Sequence, residues 1–174
     1  VQKSFLYNRD TLSGVEQPGS SPGSKVKALF MMNTKQKGNI AEHAAIVEGL
    51  KRGWGVSIPT GDYLPYDLIY DISGHLVRIQ IKSAWFQKSS GNYVVDNRRT
   101  KTNRRQMKRE RYHKQDFDCA LVYLEPKEVF YIFPVEVFIH FGSEIHMVES
   151  QKRQRKPCSE EYRGAWSLLS QWAA

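Results

Sequence analysis

The sequence predicts an α/β fold in which a mixed central sheet is flanked by helices, and three stretches carry that prediction. Residues 34–53 repeat apolar side chains at helical spacing. Residues 68–81 hold two short apolar runs split by Ser73-Gly74, the mark of a tight hairpin. Residues 119–133 hold two more strand-like runs joined by Glu125-Pro126-Lys127-Glu128. At 174 residues the chain suits one domain with a sizeable core.

Taken in order, Ile40, Ala44 and Val47 recur at intervals of four and three with Leu50 beyond, which predicts a helix from Thr34 to Gly53. Asn33 or Thr34 caps its start, and Gly53 stops it. Val56–Pro59, Leu68–Asp71 and Leu76–Ile81 are three strands. In the third, Val77, Ile79 and Ile81 alternate with Leu76, Arg78, Gln80 and Lys82, so one face is apolar and the other carries the polar pair. Residues 98–114 form a basic run of partly helical character. Cys119–Leu124 and Val129–Phe133 are strands, and Glu160–Trp172 is a last helix bearing Tyr162, Trp166, Leu169 and Trp172. Its aromatic stripe serves either as core or as an interface.

The formal net charge of +8 points to an acidic polymer or surface as partner. Cys119 and Cys158 stand in dissimilar surroundings, with no zinc-like spacing, so reduced thiols are expected rather than a disulfide framework. The sequence lacks the run of roughly 20 apolar residues that a membrane span needs and a signal-peptide pattern. A soluble, cytoplasmic protein is the expectation.

The chemistry-bearing residues gather on the first hairpin. Asp67 closes Pro65-Tyr66-Asp67 ahead of the second strand, and Gln80 and Lys82 stand two apart on the third, pointing the same way. The hairpin lets Asp67 lie beside Gln80. An aspartate, the Gln80 amide oxygen and the Ile81 carbonyl are hard oxygen ligands of the kind Mg²⁺ or Mn²⁺ prefers. With Lys82 orienting or deprotonating a water, such a set suits hydrolysis of a phosphodiester. Glu42, in Lys37-Gly38-Asn39-Ile40-Ala41-Glu42, is a fourth candidate, as a direct ligand or through water. Asp62 competes with Asp67, and Asp118 either joins the site or begins a strand. His43, His113, His140 and His146 have no helpful mutual spacing.

On these residues, Lys37–Ala84 resembles the PD-(D/E)XK nuclease superfamily, which includes restriction enzymes and archaeal Holliday-junction resolvases. The resemblance implies a restriction-endonuclease-like core, with Glu42 as the helix glutamate, Asp67 as the motif aspartate and Lys82 as the motif lysine. Gln80 departs from the pattern, since an acid is expected there; one negative charge is lost and weaker metal binding follows. Ahead of this region, residues 1–30 show no sustained periodicity. The eleven residues Gly14–Ser24 can be reverse-translated into the 5′ half of a bacterial initiator tRNA gene. Residues 1–30 are therefore expected to be a leader foreign to the native protein, with Met31 or Met32 as its start and 31–174 as a single nuclease domain. Leader and Gln80 together extend the resemblance to the cyanobacterial group I intron homing endonucleases of PD-(D/E)XK type encoded in an initiator tRNA intron.

The basic run supplies the DNA contacts. Between 98 and 114 stand nine cations, Arg98, Arg99, Lys101, Arg104, Arg105, Lys108, Arg109, Arg111 and Lys114, against one acid, Glu110, a local net of +8. Tyr93, Asn97, Asn103 and Gln106 interleave with it, and Lys152, Arg153, Arg155 and Lys156 flank it as a second cluster. If about six cations neutralise phosphates, the salt slope of log affinity is about −5. The expectation is a Mg²⁺-dependent, site-specific endonuclease that cuts double-stranded DNA at an intronless tRNA gene. One active site cuts one strand, so a homo-oligomer, dimer or tetramer, is expected. The alternatives are a Holliday-junction resolvase-like enzyme and a nuclease-inactive DNA-binding protein of the same fold.

Overall fold

Asn33 caps the first helix, α1 (Thr34–Lys51), through a reciprocal pair of bonds. Its side chain accepts from the Gln36 N–H at 2.8 Å, and the Gln36 side chain accepts from the Asn33 N–H at 2.9 Å. Gly53, at φ +73°, ends the helix in the left-handed region. This computed structural model describes residues 32–102, 107–150 and 157–171, and of 101, 102 and 107 the backbone alone. Residues 1–30 and Met31 lie outside the described residues, as do Asn103 to Gln106 with Arg104 and Arg105, the cluster Lys152, Arg153, Arg155 and Lys156, Trp172, and the side chain of Lys101.

The helix does not bury the stripe read from its large side chains. Val47 and Leu50 are 48% and 59% exposed, whereas Ala41, Ala45 and Gly49 are the buried positions. The large partners come from the other side: Tyr70 is fully buried and donates its hydroxyl to the Ala45 carbonyl at 2.7 Å. Small residues at intervals of four let the helix backbone approach that ring. A Cβ on Gly49 would lie 2.5 Å from Tyr70 Cε1. Helix propensity favours alanine over glycine by about 1 kcal/mol, but overpacking a filled core costs about 1–3 kcal/mol. The ring is pinned by its hydrogen bond, so Gly49→Ala should destabilise the fold by about 1–2 kcal/mol, read as a lower urea midpoint. An unchanged midpoint would show that the ring yields freely.

In chain order the described strands are β1 (Gly55–Ser57), β2 (Leu68–Ile72), β3 (His75–Ser83), β4 (Trp85–Gln87) and β5 (Asn92–Asp96). They continue with β6 (Arg98–Thr102), β7 (Met107–Arg111), β8 (Cys119–Leu124), β9 (Val129–Pro134) and β10 (Glu144–Met147). The central sheet has the order β1-β2-β3-β8-β9, with β3 and β8 parallel and the other pairs antiparallel. Ser73 and Gly74, at φ +55° and +87°, make the β2–β3 turn, and the Gly74 N–H donates to the Asp71 side chain at 2.8 Å. Positive φ at both central residues is what a two-residue hairpin of matching twist requires.

Both faces of this sheet are covered. Val77, Ile79 and Ile81 pack with Leu121, Ile132 and α1, while Ala120, Val122 and Phe133 pack with Tyr93, Val95, Ile145 and Met147. The second set includes a three-stranded sheet of order β10-β5-β4, which the sequence reading did not anticipate, and α2 (Val135–His140) adds Phe138 to it. Among the described residues no helix is long and apolar enough to cross a membrane.

Two expectations need correction. Among the described residues the basic run is not helical: β6 and β7 form an antiparallel ladder, with Arg99 opposite Glu110 and Thr100 opposite Arg109. It lacks an apolar stripe to bury as a helix, and its β-branched threonines favour a strand. The C-terminal segment is not one helix either. Gly164, at φ +61°, separates a 3-10 turn (Glu160–Tyr162) from the short α3 (Ser167–Ser170). Tyr162 and Trp166 pack against the core, with the Trp166 ring 5.4 Å from Phe130 and under the Arg52 guanidinium at 3.9 Å. Cys119 is a buried free thiol and Cys158 an exposed one.

Candidate active site

Asp67 is brought to β3 before β2 formally begins, because its N–H donates to the Ile79 carbonyl at 2.8 Å. Its Oδ2 then accepts from the Ile81 N–H at 2.6 Å and from the Gln80 amide at 2.5 Å. The same Gln80 nitrogen donates to the Ile81 carbonyl at 3.1 Å. The Asp67 carboxylate and the Ile81 carbonyl therefore converge on one point, and a hydrogen-bond donor stands there. A cation takes oxygen ligands in just such a converging arrangement. Half a turn of the amide about its last bond would present its oxygen as a further ligand.

Burial pushes the Asp67 carboxyl up to about 6; the Ile81 N–H opposes this, Glu42 adds to it, and Lys82 and Arg99 work against it. Glu42 itself is exposed on α1, and its charge helps to raise the Asp67 carboxyl. Lys82 follows Gln80 by two and shares its face. Its Nζ donates to the Arg98 carbonyl at 3.0 Å and lies 5.0 Å from the centre of the Tyr112 ring. Burial lowers the pKa of its ammonium, with Asp67 and Asp96 opposing and Arg99 assisting. Beside Lys82 opens a cleft of about 520 Å³ whose lining includes Thr34, Lys37, Asp96, Arg98 and Thr100.

Neither rival acid hydrogen-bonds within the Asp67–Gln80–Ile81 cluster. Asp62 is exposed. Asp118 clasps Arg78, with a guanidinium contact of 2.7 Å, and so fastens the parallel β3–β8 pair. Among the described residues no three His, Cys, Asp or Glu side chains cluster to hold a metal. The available donor set is mixed: two carboxylates, an amide oxygen and a peptide carbonyl. All are hard oxygens, which suits Mg²⁺ or Mn²⁺ and not zinc.

The cations of the hairpin have divided tasks. Arg98 makes two bonds of 2.9 Å to the Asp96 carboxylate, and Arg109 reaches the same group at 3.4 Å. Lys108 pairs with Glu110 at 2.8 Å. Arg111 is exposed and has no ion-pair partner among the described residues. Arg99 turns inward to the carbonyls of Tyr63 and Leu64, at 2.7 and 3.0 Å. That inward role, and the Tyr112 ring beneath Lys82, had no signal in the sequence beyond their place in the run.

A family model described as PD-(D/E)XK endonuclease matches residues 32–169, most of the chain. The chain belongs to the PD-(D/E)XK endonucleases. A solved bacterial homing endonuclease, I-Ssp6803I, is 57% identical and superposes with a TM-score of 0.76 over 80% of this chain and 95% of that one. No curated protein matches the chain. Endonucleases of this family generally use divalent metal ions, and this one, a DNA endonuclease with an α/β fold around a mixed sheet, has the oxygen donors to do so.

Proposed function

We propose that this endonuclease makes site-specific, Mg²⁺-dependent double-strand cuts in an intronless tRNA gene, as a homing endonuclease acting as a homo-oligomer. The observation that carries the catalytic part is the convergence of Asp67 Oδ2 and the Ile81 carbonyl on the Gln80 amide. Asp67, Ile81, Gln80 and Glu42 would hold the ion. Once bound, it would supply charge neutralisation for the phosphoryl group and acidify water. Lys82, its pKa lowered by burial, orients or deprotonates the attacking water and stabilises the charge that develops on the phosphate. Lys37 and Arg111 attract the backbone, and the rest of the hairpin fixes register. A nuclease domain of residues 31–174 accords with the family match, which begins at residue 32. The homing target rests on the 57% identical homing endonuclease and on the tRNA-like reading of Gly14–Ser24.

Cleavage of a linear duplex carrying the intronless initiator tRNA gene, set beside a four-way junction, tests the reading. Cutting of the junction alone would replace homing by resolution. Metal-independent binding with no cleavage of either would leave a DNA-binding protein.

Gln80→Glu gives a separate test. The change removes the amide donor and sets a second carboxylate against Asp67, so a cation becomes the natural bridge. The half-saturating Mg²⁺ concentration for cleavage should fall about tenfold, a gain of about 1.4 kcal/mol. In chelator the variant should melt lower than the parent. An unchanged metal dependence would remove Gln80 from the ligand set.

A further inference from the structure

Arg99 sits in the basic run, yet its geometry differs from that of a phosphate contact. It is half-buried, and its Nη2 donates to the carbonyls of Tyr63 at 2.7 Å and Leu64 at 3.0 Å. Those two residues lie just ahead of Asp67, in the segment between β1 and β2 that carries Pro59 and Pro65. Neither proline has an N–H to give, and the guanidinium provides side-chain donors from another element. The neighbouring peptide does the same on the other flank, because the Arg98 carbonyl accepts from Lys82 Nζ at 3.0 Å. One dipeptide at the start of β6 therefore grips the approach to Asp67 with a side chain and the tip of Lys82 with its backbone. The Arg98 side chain is meanwhile fixed on Asp96.

Carbonyls are neutral partners, and the Arg99 charge is felt at both Asp67 and Lys82. Arg111 shows the opposite pattern. It is exposed, without an ion-pair partner among the described residues, and free to meet a phosphate.

We infer that Arg99 is a positioning residue, which holds the Tyr63–Leu64 segment, and through it the Asp67 carboxylate, against the first strand of the DNA-binding hairpin. The inference rests on the nuclease reading of the site. It makes the hairpin and the catalytic edge one mechanical unit: DNA pulling on β6–β7 bears directly on the two groups that do the chemistry. Displacement of a catalytic group by about 1 Å costs on the order of 100-fold in rate, so a slack Tyr63–Leu64 segment is sufficient to silence the site.

The test compares Arg99→Ala, Arg99→Lys and Arg111→Ala with the unaltered full chain. DNA affinity is measured against salt with Ca²⁺ in place of Mg²⁺, and cleavage under single-turnover conditions. Mn²⁺ binding is followed by electron paramagnetic resonance in the presence of a phosphorothioate duplex. Both Arg99 variants should cut bound DNA at least about tenfold more slowly and bind Mn²⁺ more weakly, with the salt slope unchanged. Lysine keeps the charge but not the fork that reaches two carbonyls, so it should not rescue. Arg111→Ala should lower the slope by about one unit. A slope reduced by about one unit in Arg99→Ala, with rate and Mn²⁺ binding intact, would make Arg99 a phosphate contact and overturn the inference. Full recovery in Arg99→Lys would overturn it as well, by showing that charge alone suffices. Should Arg99→Ala fail to fold, by circular dichroism, Arg99→Lys decides. Absence of cleavage by the unaltered protein would overturn the nuclease reading, and the Mn²⁺ comparison would still decide on Arg99.

Discussion

Lys82→Ala is expected to lower single-turnover cleavage by about 10³-fold, close to 4 kcal/mol of transition-state stabilisation, with DNA affinity nearly unchanged. Lys82 is partly buried, its Nζ rests on the Arg98 carbonyl at 3.0 Å, and the Tyr112 ring lies 5.0 Å away. Such surroundings withdraw the amine in part from solvent, so a charge there is worth more than on the surface. Burial also makes the ammonium a readier proton donor than a solvated lysine. Alanine removes both functions and leaves the Asp67–Gln80–Ile81 cluster intact, so Mn²⁺ binding should persist. A variant that still cuts at more than about a tenth of the parental rate would take Lys82 out of the chemistry.

Asp67→Asn should be the more severe lesion for metal, with cleavage lost by at least about 10³-fold and Mn²⁺ binding lost alongside it. The substitution is close to isosteric, and its side-chain oxygen can still accept from the Ile81 N–H, so the fold should hold. Stability provides an independent readout through its pH dependence. Asp67 titrates at about 6 in the folded protein, above its ordinary value of 3.8. Raising a folded-state pKa stabilises the protein below the unfolded value, and that contribution is lost as pH climbs through the folded one. In chelator, therefore, the parent should lose stability between about pH 4 and 6, whereas Asp67→Asn should not. Above pH 6 the variant should be the more stable of the two, by up to about 3 kcal/mol, and Mg²⁺ should close the gap by stabilising the parent only. Parallel melting profiles across that range would show that the carboxyl is not held above its ordinary pKa.

What the sequence made legible was local. The Asn33 cap, the Ser73-Gly74 turn and the strands β2, β3, β8 and β9 each depend on a few neighbouring residues, and each stands close to where periodicity put it. Asp67, Gln80 and Lys82 were found together for the same reason, since one short hairpin carries all three. What stayed hidden depends on partners far away in the chain. The buried face of α1 is set by Tyr70, so small residues lie inward and Val47 and Leu50 outward. The sheet of β4, β5 and β10 joins segments fifty residues apart, although Ile145 and Met147 do alternate with Glu144 and His146. Charge and the interleaved polar side chains point the whole basic run at DNA, and neither reveals that Arg98 is occupied by Asp96 and Arg99 by two carbonyls.

The parallel pairing of β3 with β8 also bears on how the molecule comes into being. Asp118, at the foot of that pair, meets Arg78 across forty positions, and the basic β6–β7 hairpin lies within the intervening crossover. Closing so long a loop carries an entropy cost before any contact rewards it, which makes this the slow step expected of the topology. The β2–β3 hairpin needs no such closure. Asp67, Gln80 and Lys82 can thus meet early, on a chain whose sheet is still incomplete, while Arg98 and Arg99 arrive only with the crossover. The order of assembly separates a cluster that can gather an ion from the grip that makes it competent to cut.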